Sequence, residues 1–411
     1  MKTIIIGAGP AGVTAAETLR QHKMRGDITL LSNEPSPPYS PPAMIEYFMT
    51  GKEAHLWRWR DIQKKLSLHY KSAVQVNEIK PEKREIRLST GETLFYDNCV
   101  IATGSQLYAP LEGAQMKGIY NFKSLSSADE LVGKINKGSA KSALIVGAGF
   151  IGIEIALLLC HLKVKVTVID MAERVMPAML DKETAGIVLG LLRERGITLR
   201  LNTKAVRFIG DSHAEGVKLD TGDTLKADIT IAATGVKPNV SFLKGSGIQV
   251  NWGIITDEYL RTTIPHIYAA GDVAETHHRI TGERTVYPLF PNAVNQGRTV
   301  AYAMLGWDMP YEGAERMNSL KHLGLPIIAA GHMKGEALRA HQDNTMRTVY
   351  VQNGRIVGFQ LAGDIRGAGI YRTLMNKKVD VSPFQADLLT KSSLSRILFS
   401  FSPQAYSPSW Q

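Results

Sequence analysis

The chain has 411 residues, more than one ordinary core accommodates, and this length indicates two or three domains. Hydrophobic residues make up 44% of the chain and charged residues 21%, and no run of about eighteen apolar positions occurs, which excludes a membrane span. Only Cys99 and Cys160 carry thiols, which excludes a disulfide framework. The net charge of +10 is spread along the chain, which argues against a nucleic-acid site and leaves a solvated basic surface or a docking face for acidic proteins.

A first nucleotide-binding motif opens the chain. Strand, glycine loop, helix, strand and acid are predicted at residues 2–6, 7–12, 13–20, 28–31 and 34. Gly7 permits a tight turn, Gly9 lets the backbone approach a pyrophosphate, and Gly12 lets helix and strand pack closely. The helix N-terminus offers free N–H groups to phosphates, and Glu34 offers an acceptor to the adenosine ribose.

The same pattern recurs in the middle of the chain. Its strand, loop, helix, strand and acid are predicted at residues 142–146, 147–152, 154–162, 165–169 and 170. Gly147, Gly149 and Gly152 take the same three roles. Asp170 suits a ribose 2′-hydroxyl and would repel a 2′-phosphate, which favours NAD, while Arg174 nearby leaves NADP open. Two copies in the same context are much stronger evidence than one glycine motif.

Three further segments predict cofactor contacts. Two predicted buried strands end in Ala-Thr-Gly, the first at Thr103 and Gly104 and the second at Gly235. Each of these strands follows a small insertion that is predicted to form three strands. Asp272, after another apolar strand, offers a carboxylate to ribityl hydroxyls or serves only as a helix N-cap. A helix predicted to begin at Pro291 would direct its N-terminus at the pyrimidine end of a flavin.

The order of these motifs resembles the pyridine nucleotide–disulfide oxidoreductase superfamily, and more narrowly its branch of rubredoxin reductases, ferredoxin reductases and NADH oxidases. The resemblance is specific up to about residue 310 and looser to about residue 365, and the last 45 residues match nothing. It implies an α/β fold with two Rossmann-like, three-layer ββα domains of the glutathione-reductase type and a C-terminal α+β interface domain. The implied bounds are 1–112 and 245–312 for FAD, 113–244 for NAD, and 313–411 for the C-terminal domain.

The resemblance also implies which residues hold the cofactors. FAD is expected on Gly7, Gly9, Gly12, Glu34, Val74, Thr103, Gly104, Asp272 and Ala293, with the Val74 backbone at the adenine and Ala293 beside the flavin ring. NAD(H) is expected on Gly147, Gly149, Gly152, Asp170 and Gly235. Glu154 falls where the family places a carboxylate near nicotinamide and flavin, and is otherwise a helix-surface acid.

Residues 37–48 distinguish this chain within the superfamily. Disulfide reductases carry redox cysteines there, and this segment has none, so both cysteines of the chain are predicted to be core residues. Many ferredoxin reductases have a lysine in this segment, whereas this chain has Glu46, which puts a lysine partner for Glu154 in doubt. Tyr39 or Glu46 is expected to shape the flavin pocket, and Glu46 and Glu154 are the candidate catalytic residues.

Without a thiol relay, the flavin is expected to exchange hydride with NAD(H) and single electrons with a small acidic ferredoxin or rubredoxin, in either direction. The Trp-Arg-Trp-Arg segment at residues 57–60 predicts a partner rim or an amphipathic helix with inward-packed rings. An NADH oxidase that reduces oxygen and a non-catalytic FAD/NAD sensor or assembly subunit are the alternatives. We expect a cytoplasmic protein without nucleic-acid or membrane partners; a homodimer through the C-terminal domain stays open.

Overall fold

The computed structural model describes residues 1–342 and 345–390, so residues 391–411 of the predicted C-terminal domain lie outside the described part. The α-helices are α1 (Pro10–Gln21), α2 (Met44–Thr50), α3 (Ile62–Leu66), α4 (Leu125–Asn136), α5 (Phe150–His161), α6 (Lys182–Glu194), α7 (Phe290–Met304) and α8 (Ala368–Asn376). Short 3₁₀ helices lie at Pro41–Ala43, Pro81–Lys83, Ser241–Leu243 and Ser382–Asp387. Within these ranges, none of the helices combines the length and the apolar composition that a membrane span requires.

The strands alternate with these helices along the chain. The first group is β1 (Lys2–Ile6), β2 (Asp27–Leu31), β3 (His69–Lys71), β4 (Val76–Lys80), β5 (Glu85–Leu88), β6 (Thr93–Phe95), β7 (Asn98–Ile101) and β8 (Ser105–Leu107). The second is β9 (Ile119–Tyr120), β10 (Ser142–Val146), β11 (Lys165–Ile169), β12 (Thr198–Arg200), β13 (Ala205–Ile209), β14 (Gly216–Leu219), β15 (Thr224–Lys226), β16 (Ile229–Ala232) and β17 (Val236–Pro238). The third is β18 (Ile254–Ile255), β19 (Ile267–Ala269), β20 (Ala274–His277), β21 (Arg284–Val286), β22 (Met317–Leu320), β23 (Ile327–Gly331), β24 (Glu336–Gln342), β25 (Thr345–Gln352) and β26 (Arg355–Ala362).

Two parallel five-stranded sheets form the framework, in the orders β19-β7-β1-β2-β3 and β12-β11-β10-β16-β9. Their central strands, β1 and β10, are almost entirely buried because helices and a second sheet cover their two faces. In register, Ile5 lies between Leu30 and Val100, and Ile145 lies between Val168 and Ile231. Each central strand leads through a glycine loop into a packed helix, as the sequence predicts.

Small antiparallel sheets provide the third layer. The order β4-β5-β6 precedes β7, and β13-β14-β15 precedes β16, which confirms the two predicted three-stranded insertions. A five-stranded antiparallel sheet, β22-β23-β26-β25-β24, carries α8 on one face, around a core that contains Phe359 and Tyr371. The predicted α/β class with two Rossmann-like domains and a C-terminal α+β unit is therefore confirmed.

Candidate functional site

The first glycine loop leaves an open space above its backbone. Gly7 has a φ of +115°, and a Cβ on it would lie 2.1 Å from the Ala102 carbonyl oxygen. A Cβ on Gly12 would lie 2.0 Å from the Gly7 carbonyl oxygen. A Cβ on Gly9, by contrast, would meet no atom within 4 Å. Gly7 and Gly12 are thus required by internal packing, whereas glycine at Gly9 keeps room for a bound group.

The second glycine loop repeats this geometry residue for residue. Gly147 has a φ of +114°, and its Cβ would lie 2.4 Å from the Ala233 carbonyl oxygen. A Cβ on Gly152 would lie 2.0 Å from the Gly147 carbonyl oxygen, and one on Gly149 would meet nothing within 4 Å. The chain therefore has two cradles in which a dinucleotide pyrophosphate fits.

The helices that begin at these loops have no side-chain caps. Neither α1 at Pro10 nor α5 at Phe150 has one, and the same holds for α7, whose first residue is Phe290. By contrast, Ser124 caps α4 and Asp181 caps α6. Uncapped helix N-termini present free N–H groups and a positive dipole end, which suit the phosphates and the electron-rich pyrimidine edge of FAD.

Asp170 lies at the second glycine loop. Its two carboxylate oxygens accept hydrogen bonds from the N–H groups of Ala148 (2.6 Å) and Ala172 (2.8 Å). Arg174, which could have paired with a 2′-phosphate, instead donates from Nε to the Leu180 carbonyl oxygen at 3.1 Å. This arrangement favours NAD over NADP, in line with the expectation from the sequence.

Glu34, the acid that follows β2, is bonded to a helix that the sequence analysis did not connect with it. Its carboxylate accepts from the hydroxyl (2.8 Å) and the N–H (3.1 Å) of Ser126 in the first turn of α4. The neighbouring N–H of Leu125 donates to the Tyr39 hydroxyl at 3.0 Å. The acid that follows β2 is thus tied to the start of α4, a contact for which the sequence offers no local signal.

Asp272 also acquires partners that the sequence analysis missed. It accepts hydrogen bonds from the Ser105 hydroxyl and from the Lys123 ammonium group, both at 2.7 Å. Asp272 lies in a turn between β19 and β20, so its interpretation as a helix N-cap is wrong. The three side chains form a polar cluster beside the first cradle, and Lys123 adds a cation suited to a phosphate.

The two Ala-Thr-Gly segments meet at a link between the two parallel sheets. Gly104 and Gly235 have φ values of +65° and +136°, and β8 and β17, which follow them, pair antiparallel. The Thr103 hydroxyl donates to the Asn239 carbonyl oxygen, and the Asn239 amide donates to the Thr103 carbonyl oxygen, both at 2.9 Å. Thr103 therefore holds the link in addition to any contact with FAD.

The two remaining predicted FAD contacts lie on opposite sides of the first sheet. The Val74 N–H donates to the Ser32 carbonyl oxygen at 2.9 Å, which places Val74 just beyond the end of β2. Ala293 is buried in the first turn of α7, and a Cβ on Gly271 would lie 3.8 Å from its Cβ. The helix predicted to begin at Pro291 begins one residue earlier.

A cleft of 230 Å³ extends from the first glycine loop along the groove between α1 and α7. The residues that line it include Gly9, Tyr39, Arg58, Phe290 and Arg298. Of the two residues expected to shape the flavin pocket, Tyr39 thus lines the cleft. Glu46 lies on the exposed side of α2.

The Trp-Arg-Trp-Arg segment does not form the amphipathic helix considered from the sequence. Trp57 and Trp59 pack against two different hydrophobic cores, in line with the inward-packed rings. Arg58 donates two hydrogen bonds, of 2.9 and 2.7 Å, to the buried carboxylate of Glu17 on α1, and the Trp59 indole N–H donates to the same carboxylate. The segment therefore fixes α1, the helix of the first cradle.

This contact predicts a loss of stability. Arg58→Ala leaves the buried Glu17 carboxylate with fewer donors and is expected to lower the free energy of unfolding by about 1–3 kcal/mol. Arg60→Ala is the matched control, because Arg60 pairs with the exposed Glu53 and such pairs contribute little. Urea unfolding of both variants measures the difference; equal midpoints would show that the Glu17 contact contributes nothing.

Glu154 lies one turn into α5, close to the second glycine loop, and is partly buried. Burial raises its pKa to about 7, and the positive charge of Lys321 opposes this rise. A carboxyl group with such a pKa exchanges its proton near neutral pH. Lys321 was not identified from the sequence, because it lies far along the chain, after β22.

Neither cysteine is placed to relay electrons in the cleft. Cys99 is fully buried in β7, and burial raises the pKa of its thiol. The Cys160 thiol donates to the Arg195 carbonyl oxygen at 3.2 Å, at the far end of α5 from the glycine loop. The prediction that both cysteines are core residues thus holds for Cys99, whereas Cys160 is only partly buried at the edge of a core.

Comparison with known proteins gives the same assignment. The model of the pyridine nucleotide-disulphide oxidoreductase family matches residues 1–297. The chain is 30% identical to the nitrite reductase [NAD(P)H] of Bacillus subtilis over 92% of its own length and 48% of that protein, so it spans about half of this relative. It is 29% identical to the rubredoxin-NAD(+) reductase of Pseudomonas putida, over 80% of this chain and 87% of the relative.

Among solved structures, a ferredoxin reductase from Rhodopseudomonas palustris superposes with a TM-score of 0.87. It is 25% identical, and the match covers 96% of this chain and 99% of the other. The twin cradles, the uncapped helices and the family match over residues 1–297 lead to one assignment. The chain belongs to the pyridine nucleotide-disulphide oxidoreductase family, whose enzymes work with FAD and NAD(H).

Proposed function

We propose that this oxidoreductase moves hydride between NAD(H) and FAD and passes single electrons to or from a small acidic iron–sulfur or rubredoxin-type protein. One observation carries the proposal: two pyrophosphate cradles occur in a chain whose thiols both lie away from the cleft. Electrons on the flavin then leave to an external acceptor. The similarity to a rubredoxin-NAD(+) reductase supports a protein carrier as that acceptor.

We propose the same division of the chain as the sequence indicates, with FAD on residues 1–112 and 245–312 and NAD(H) on 113–244. When bound, the flavin supplies hydride exchange and single-electron transfer. The first loop, at Gly7, Gly9 and Gly12, holds the FAD pyrophosphate, and Glu34, Val74, Thr103, Gly104, Asp272 and Ala293 line the rest of its site. Gly147, Gly149, Gly152, Asp170 and Gly235 hold NAD(H). Glu154 and Glu46 are the proposed catalytic carboxylates.

The surface around the cleft carries basic side chains that suit an acidic carrier. Arg298 of α7 and Arg58 line the cleft, and nearby the exposed Lys65 of α3 has its ammonium group 4.8 Å from the centre of the Trp59 ring. Opposite charges speed the encounter of two proteins and fix their orientation. We propose this face as the docking surface for the carrier, in a cytoplasmic protein, as two free thiols favour.

Reversal of this charge tests the docking surface. Arg298→Glu with Lys65→Glu is expected to raise the KM for the carrier about tenfold at low salt, with an unchanged rate of ferricyanide reduction. Lys244→Glu, an exposed lysine after the 3₁₀ helix Ser241–Leu243, is the control. An unchanged KM in the double variant would place the carrier elsewhere.

A screen of acceptors tests the function itself. The purified, FAD-loaded protein is supplied with NADH and, in turn, with a rubredoxin, a ferredoxin or oxygen alone. The proposal predicts fast reduction of one carrier and slow consumption of oxygen. Fast oxygen consumption with no carrier reduced would favour an NADH oxidase, and no turnover with any acceptor would favour a sensor or assembly subunit.

A further inference from the structure

The segment between β22 and β23 reaches from the C-terminal sheet to the junction of α2 and α5. Leu320 and Leu323 are fully buried in one core with Met44 of α2 and Ile153 of α5. Two buried anchors three positions apart fix the backbone between them. Lys321, which is exposed, is thereby held over the junction of the two helices.

This junction lies where the two cofactor sites approach each other. The segment that leads into α2 contains Tyr39, which lines the cleft together with Gly9. The first turn of α5 follows the second glycine loop at Gly149. The first turns of the two helices also share one buried core, which contains Met44 of α2 and Ile153 of α5. A side chain over this junction is therefore close to both cradles.

Two basic side chains of this segment face the two acids that the sequence analysis selected. The positive charge of Lys321 acts on Glu154 of α5, whose pKa it lowers against the effect of burial. Burial lowers the pKa of His322, and Glu46 of α2 opposes that effect, whereas Lys321 and His161 add to it. The groups around Glu154 and Glu46 thus include one cation from beyond residue 313, the Lys321 ammonium group, beside an imidazole whose positive form is disfavoured.

We infer that Lys321 is a positioning residue of the flavin–nicotinamide site, and that it supplies from the C-terminal sheet the cation that α2 lacks. The inference rests on the proposed function. A cation there stabilises the negative charge that a flavin gains when it is reduced, and it keeps Glu154 in its ionised form over a wider pH range. The lysine that related enzymes carry in α2 is then replaced by one from a distant segment.

The flavin midpoint potential of the FAD-loaded protein tests this inference without measurement of turnover. Lys321→Met is expected to make the potential more negative, and so to lower the equilibrium constant for flavin reduction on the order of tenfold. A plot of potential against pH is expected to show a break near pH 7 in the parent protein, which reports the titration of Glu154. In Lys321→Met this break is expected to move to higher pH, and in Glu154→Gln it is expected to vanish. Lys321→Arg keeps the charge and restores both values.

Lys334→Met, an exposed lysine between β23 and β24 of the same sheet, is the control and leaves the potential unchanged. A Lys321→Met protein with bound flavin and the same potential and pH break as the parent would overturn the inference and leave the proposed function intact. A parent protein that binds no FAD, or whose flavin NADH does not reduce, would overturn the proposed function and this inference with it.

Discussion

A Gly149→Asp variant is expected to keep its FAD but to bind NADH at least about a hundredfold more weakly than the parent protein. Its flavin is therefore reduced only at much higher NADH concentrations. The reason is steric and electrostatic. A Cβ at Gly149 would meet no protein atom within 4 Å, so the loop has room for a side chain to begin there. The same space is where the NAD pyrophosphate would lie, and a carboxylate there excludes and repels it. Titration of the flavin absorbance with NADH measures the loss.

Gly190→Asp is the matched control for this variant. Gly190 lies in α6, is exposed, and has equally open space around its Cβ position, but it lies outside both cradles. Its NADH affinity is expected to match that of the parent protein. If Gly149→Asp bound NADH as tightly as Gly190→Asp, the second glycine loop would not be the nicotinamide nucleotide site.

The double variant Asp170→Ala with Met171→Arg is expected to change the coenzyme preference from NADH to NADPH. Loss of the carboxylate removes the acceptor for the ribose hydroxyls, which costs about 1.5–3 kcal/mol for hydrogen bonds to a charged group, or roughly ten- to a hundredfold in kcat/KM for NADH. Met171 is 72% exposed beside Asp170, so an arginine there has room to meet a 2′-phosphate.

Met171→Leu provides the control for the coenzyme variant, because it changes the same exposed position without a charge. Steady-state kcat/KM with each coenzyme is the measurement. The control is expected to keep the NADH preference of the parent protein. A double variant that still preferred NADH by the original ratio would show that Asp170 does not contact the adenosine ribose.

Much of the fold was predictable because its signals are local. A glycine loop between an apolar strand and a helix specifies a turn with left-handed φ at Gly7 and Gly147, and both occur. The strand at residues 142–146 has the predicted bounds, whereas α5 begins four residues earlier than predicted. The difference arises because α5 starts at Phe150, within the glycine loop, where the glycine and aromatic residues do not indicate a helix.

The missed parts of the site depend on contacts between distant segments. Ser126 meets Glu34, Lys123 meets Asp272 and Lys321 acts on Glu154, each across a large separation in the chain. None belongs to a motif with fixed spacing, so only the tertiary structure brings them together. The sequence therefore predicts the acids of the site more readily than the cations and hydroxyls that face them.

Anaerobic mixing of the FAD-loaded protein with NADH tests the central claim most directly. We expect the visible absorbance of oxidised flavin to disappear within the time of a catalytic turnover and to return when an oxidised carrier protein is added. A flavin that stays oxidised while NADH is bound would contradict it, since the two cradles would then hold cofactors that do not exchange electrons.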